Sequence, residues 1–222
     1  MELGLPPSRA ISNERYKFRK VLTVAMGRPR EFDLDQALEN ALHVFWEKGY
    51  EGASMADLTE AMGITKPSLY AAFGNKEELF RKALDSYVDG PAGYAKLALQ
   101  QPNARSVVEH LLYGEVDAVT DPGCPAGCLS INAALTGGDA AESIKKELMP
   151  HRVQGEDDLR RRFERARAEG DLPATADATA LARYIATITQ GIAVQAVGGT
   201  TRADLKKIVE MVLTTWPPTV RA

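Results

Sequence analysis

The chain has 222 residues, room for one large domain or two small ones. Its composition, 45% hydrophobic and 26% charged with 18 glycines, 12 prolines and two cysteines, excludes disordered, collagen-like and disulfide-scaffold classes, and the two cysteines fit a reducing compartment. The net charge of −3 would argue against nucleic acid if it were spread evenly, but residues 1–30 hold seven basic groups against Glu2 and Glu14, a net of +5, while residues 31–222 hold 20 basic and 28 acidic groups, a net of −8.

That N-terminal segment (residues 1–30) is either a basic, partly disordered arm that reaches a polyanion or a solvated leader, and a start at Met26 would leave it only Arg28 and Arg30. The apolar run 21–26 is too short for a signal-peptide core. The uncharged stretch 184–201 contains Thr187, Thr189, Gln190, Gln195 and three glycines, which suits a helix buried by protein rather than lipid. The chain is therefore read as cytoplasmic, with no membrane partner.

Almost every segment beyond residue 31 has a period of 3.6 residues, so the fold is expected to be all-α with about nine helices. Leu34, Ala37, Leu38, Ala41, Leu42, Phe45 and Trp46 mark one face of a first helix that ends near Gly49. Ser54 and Asp57 form a capping-box variant for a second, which closes before Gly63. Thr65 caps a short third with Pro67 in its first turn, and Asn75 caps a fourth with Glu77 and Glu78 at the positive end of its dipole. Gly90, Pro91 and Gly93 interrupt the fourth helix, which resumes over 94–100. Further helices are expected over 106–120 and 128–136, over 139–169 with a bend near Pro150, from a cap at Asp177 to Gly198, and from a cap at Thr201 to Trp216.

Residues 54–73, SMADLTEAMGITKPSLYAAF, read as a helix-turn-helix. Gly63 permits the positive φ of the turn, and Leu58, Met62, Ile64 and Leu69 lock the two helices at a steep angle, so that the second projects toward a major groove about 12 Å wide. The run 28–87 carries further landmarks: Phe45 before Lys48-Gly49-Tyr50, Gly63-Ile64, Leu69-Tyr70, Phe73, and Lys76-Glu77-Glu78-Leu79. On these residues it resembles the TetR/AcrR family of bacterial transcriptional regulators, and Gly127-Cys128-Leu129 is similar to a subgroup with that motif at its sixth helix.

The resemblance implies an N-terminal three-helix DNA-binding domain (31–77) and a C-terminal effector-binding and dimerisation domain (78–222). It implies a homodimeric, ligand-responsive repressor of a palindromic double-stranded operator, released by a small-molecule effector. The absence of a phosphate loop or nucleophile motif, with only three widely separated histidines, argues against an enzyme, and no cofactor is expected. The family pattern puts Thr65, Lys66, Pro67 and Ser68 toward DNA, with Ser54, Tyr70 and Lys76 at the backbone. Pro67 stands where the family often has glycine. Ala72 stands where it often has histidine or tyrosine, which removes a customary phosphate contact. Residues 33–90 carry 11 carboxylates against Lys48, Lys66, Lys76, Arg81 and Lys82, so affinity must draw on dimerisation and on Arg28 and Arg30, which can lie in a narrow minor groove.

In the body, Tyr94, His110, Tyr113, Cys128, Asn132, Phe163 and Tyr184 are candidate effector-lining residues. Tyr184, Ile188, Ile192, Leu205, Ile208, Val212 and Trp216 are candidates for a dimer interface built as a four-helix bundle. Arg160, Arg161 and Arg162 read as a solvated face paired with Glu156, Asp157, Asp158 and Glu164. Cys124 and Cys128 lack the further ligands of a zinc site, so no metal is assigned. Cys128 reads as a small buried residue at a helix start. The alternative is a helical interaction or sensor module, thiol-reactive through Cys124 and Cys128, with weak or no DNA binding.

Overall fold

The computed structural model describes residues 32–135 and 142–217, with side chains for 32–132 and 153–217. The expected arm, with Arg28 and Arg30, lies outside the described residues. Those described form ten helices and no strand: α1 Leu34–Gly52, α2 Met55–Met62, α3 Lys66–Phe73, α4 Lys76–Asp89, α5 Tyr94–Leu99, α6 Ala104–Val119, α7 Leu129–Leu135, α8 Glu142–Ala168, α9 Ala178–Val197 and α10 Arg202–Thr215. The count exceeds nine because Tyr94–Leu99 stands alone, cut from α4 by the turns over Gly90–Gly93.

The helix boundaries follow local chemistry. Asp33 caps α1 by accepting from the amides of Asp35 and Gln36. In α2 the Ser54 hydroxyl accepts from the Asp57 amide and the Asp57 carboxylate accepts from the Ser54 amide, a complete capping box, and Asn75 with Glu78 repeats it on α4. Thr65, Asp177 and Thr201 cap α3, α9 and α10. Helical geometry in α1 breaks at Gly49, where φ is 70°, and one more turn follows to Gly52. Gly63 ends α2 at φ 64°, in the left-handed region that costs glycine no Cβ clash.

Two apolar clusters organise the chain. The first is built on α1–α4 around Phe45, Trp46, Leu58, Leu69 and Phe80, with Leu129 of α7 added from the body. Its rings meet edge to face: Phe45 on Phe80 at 5.1 Å, Tyr50 on Phe80 at 5.3 Å, Trp46 on Tyr87 at 4.8 Å. The second fills the space between α5, α6, α8, α9 and α10, with Phe163 against Trp216. Residue 77, where the domain boundary is expected, falls in the first turn of α4, and the inner face of that helix belongs to the first cluster as far as Tyr87. Cys128 packs against both clusters. No described helix is long and apolar enough to cross a membrane.

Phe45 is fully buried at the centre of the first cluster. Phe45→Ala is expected to cost about 3–5 kcal/mol, read as a lowered urea midpoint of the full chain.

Candidate nucleic-acid interface

The surface formed by α2 and α3 has a buried side and a projecting side. Leu58, Met62, Leu69 and Phe73 are buried, and Ile64 is half-buried. This locks α3 against its neighbours and leaves Thr65, Lys66, Pro67 and Tyr70 exposed along its outer face, with Ser68 half-buried. The Thr65 hydroxyl lies 2.9 Å from that of Ser68 and accepts from its amide. The Lys66 ammonium lies 6.0 Å from the centre of the Tyr70 ring one turn along. The outer face of α3 thus offers hydroxyls, an ammonium and a phenol, all able to donate to phosphate or base edges. Ser54 is exposed at the start of α2.

Two cations are engaged within the protein. Lys76 is half-buried with its ammonium 4.5 Å from the centre of the Tyr50 ring, and burial draws its pKa below the ordinary lysine value. Lys48 pairs with Asp57 at 2.5 Å, linking α1 to the capping box of α2. Together with Ser54, Lys48 holds the Asp57 carboxyl well below the usual carboxylate range. Neither partnership is visible in sequence spacing, because each joins residues from different helices.

The expected sensor residues separate into several places. Tyr94 donates its hydroxyl to Glu115 of α6. Glu115 is 2% exposed, and burial raises its pKa to about 7 although the Tyr94 hydrogen bond opposes the rise. Cys128 adjoins this group beside Tyr87 of α4, both packed in the first cluster, and burial raises the pKa of each. Asn132 instead lines a separate recess of about 440 Å³ with His43, Trp46, Glu47 and Cys124. His110 is exposed with Nδ1 on its own helix at the Ser106 carbonyl, Phe163 is fully buried core, Tyr113 is half-buried on α6 and Tyr184 faces outward. Glu115 and Tyr87 were not singled out by sequence reasoning; the available signal was one carboxylate set among Leu111, Leu112, Val116 and Val119 on the apolar stripe of α6.

Several of the expected interface side chains turn inward. Ile192, Leu205, Val212 and Trp216 are buried within the chain itself, and Ile188 and Ile208 are half-buried against the same core, because α9 and α10 spend their apolar stripes on α6 and α8. What α9 and α10 leave outside is Tyr184, Thr187, Gly191 and Val194 on one and Lys207, Met211 and Thr214 on the other. Arg162 also departs from the solvated face expected for it: it is 5% exposed, with one amino group on the Gln101 carbonyl and its other nitrogens unpartnered, while Arg160 and Arg161 make the expected i, i+3 and i, i+4 pairs. Both cysteines are free thiols, and burial pushes both pKa values up, which leaves them protonated and weakly nucleophilic near neutrality. Among the described residues no cluster of three His, Cys, Asp or Glu could hold a metal ion.

Comparison with known proteins places this geometry. Residues 37–83 match the model of bacterial regulatory proteins of the tetR family, and residues 107–211 match the Tetracyclin repressor-like C-terminal domain. The chain is 37% identical over 201 residues to the HTH-type transcriptional repressor ComR of Escherichia coli K12, covering 88% of this chain and 94% of that one. It is 33% identical to the HTH-type transcriptional regulator YezE of Bacillus subtilis 168, covering 72% and 84%. Among solved structures, a cysteine mutant of the TetR family transcriptional regulator CifR, complexed with 26bp double-strand operator DNA, superposes with a TM-score of 0.82 at 46% identity, over 86% of this chain and all of that one.

The Glu115 carboxyl sets a pH dependence. Unfolded, it loses its proton near 4.5; folded, at about 7. Between these values the folded state binds more protons, so stability falls as pH rises. Glu115→Gln removes this dependence, and the stability of the variant relative to wild type is expected to rise by about 3 kcal/mol between acid and mildly alkaline pH, measured by urea unfolding.

Proposed function

The chain belongs to the TetR family of bacterial regulatory proteins, and from that premise we propose that it is a cytoplasmic, homodimeric transcriptional repressor that binds a palindromic operator through α3 of each subunit. The observation that carries this reading is the outer face of α3, where Thr65, Lys66, Pro67 and Tyr70 are exposed while Leu69 and Phe73 anchor the helix from behind. The operator-bound CifR structure supports it, since that protein shares 46% of its residues with this chain. Ser54 and Ser68 add hydroxyls at the edge of the surface, Lys76 adds charge at its margin, and Arg28 and Arg30 extend the contact into the adjoining minor groove.

The dimer forms through the outward faces of α9 and α10, around Tyr184, Thr187, Gly191, Val194 and Met211, the last 71% exposed in the single chain. Small residues on α9 allow a second copy to approach closely, and the apolar side chains around them lose water on contact. A small-molecule effector binds the body formed by α4–α9 and favours a dimer whose α3 helices no longer match successive major grooves, a difference in affinity between two states.

Selection of bound duplexes from a random library tests the reading directly: an enriched palindrome is expected, whereas no enrichment at low salt would leave a helical interaction module. Against the selected operator, Lys66→Ala is expected to weaken binding and to reduce the logarithmic salt slope by about one per subunit. Arg28→Ala with Arg30→Ala flattens the slope further. Thr187→Arg places a charge on the α9 face, and light scattering should move from twice the mass of one chain toward that of a single chain.

A further inference from the structure

One group in the body has an unmet requirement. The Oε2 atom of Glu115 accepts from the Tyr94 hydroxyl, but Oε1 is enclosed and has no hydrogen-bond partner. Around the carboxyl stand Tyr87 from α4, Tyr94 from α5 and Cys128 from the turn before α7, two hydroxyls and a thiol. Among the described residues no lysine, arginine or histidine compensates it. A buried carboxylate without a cation is costly, and the cost is relieved either by a proton or by a positively charged partner. Tyr94 and Cys128 keep some accessible surface, so Glu115 lies one side chain beneath the exterior.

The position of the Tyr94 ring is fixed by a missing side chain. A Cβ at Gly114 would come within 2.6 Å of the ring, so the phenol lies directly on the backbone of α6 and reaches the next residue, Glu115.

We propose that the free oxygen of Glu115 is the polar end of the effector site and that this site takes a small organic cation, a protonated primary amine on a short apolar chain. The assignment rests on the effector-responsive reading above. A neutral donor would satisfy the hydrogen bond and leave the charge, and an anion would be repelled. Occupancy is felt next door: the edge of Tyr87 meets the Trp46 ring of α1, so the site adjoins the helix that supports the DNA-facing surface.

The test is thermal denaturation of the full chain with n-butylammonium chloride, n-butanol or sodium butyrate at matched ionic strength. The ammonium alone is expected to raise the wild-type midpoint, saturably, by about 3–5 °C at ten times its dissociation constant. The rise is larger at about pH 8 than at about pH 5.5, where a proton competes for the same carboxyl. Glu115→Gln abolishes it, and Gly114→Ala, which dislodges the Tyr94 ring, weakens the ammonium at least tenfold. Equal shifts with butanol, an unchanged ammonium affinity in both variants, or no ammonium shift at either pH would overturn the assignment. Operator affinity of the amine-free wild type is measured alongside: DNA binding without an amine response sinks this inference alone, and an amine response without DNA binding sinks the repressor reading alone.

Discussion

A buried hydrogen bond at the seam between the two clusters helps tie the two parts of the chain together. The indole N–H of Trp46, near the end of α1, donates to the carbonyl of Gly127 at 2.9 Å, across 81 positions of sequence. Buried donors are costly to leave unpaired, so α1 and the turn before α7 must keep their register whenever the first cluster is intact. The edge of Tyr87 against the same indole brings α4 into that register, and Leu129 completes it by entering the first cluster from α7. Through these contacts the placement of the α2–α3 surface depends on where the 121–128 segment sits.

The distribution of charge follows from the same economy. Lys48 pairs with Asp57 and Lys76 lies over Tyr50, so these cations steady α1, α2 and α4 before they can meet a phosphate. The acidic surface of the folded part then works against nonspecific adhesion to polyanions, and the groups left on α3 are chiefly neutral donors that depend on geometry rather than on field strength. In the body the balance is reversed. Glu115 and Arg162 are both buried and both incompletely paired, each at a cost that a tightly packed apolar residue would not incur.

Much of this was legible in the sequence because it is local. A cap is a fixed spacing of a hydroxyl or carboxylate from an amide, so Ser54, Thr65, Asn75, Asp177 and Thr201 announced five helix starts, and Gly63 announced the turn between α2 and α3. What stayed hidden was settled between helices. α9 and α10 are apolar on more than one side, and periodicity does not say which side their own chain covers; hence Ile192, Leu205, Val212 and Trp216 fill the core while Thr187, Gly191 and Met211 face out. Arg162 sits in a run of charges that reads as solvated, and only the α5–α6 connection, through the Gln101 carbonyl, turns it inward. Glu115 likewise looks like an interruption of an apolar stripe until Tyr94 is seen beside it.

The bare backbone at Gly114 couples three positions that would otherwise vary independently. A relative with any β-carbon there cannot seat an aromatic ring on α6 in this way, so the phenol at position 94 loses its perch and the carboxyl at 115 loses its donor. Glycine, tyrosine and glutamate at these places therefore act as one physical unit, in which a change at any one alters what the other two can do. The smallest side chain of the three thus decides whether the acid beside it is held by a phenol or left bare.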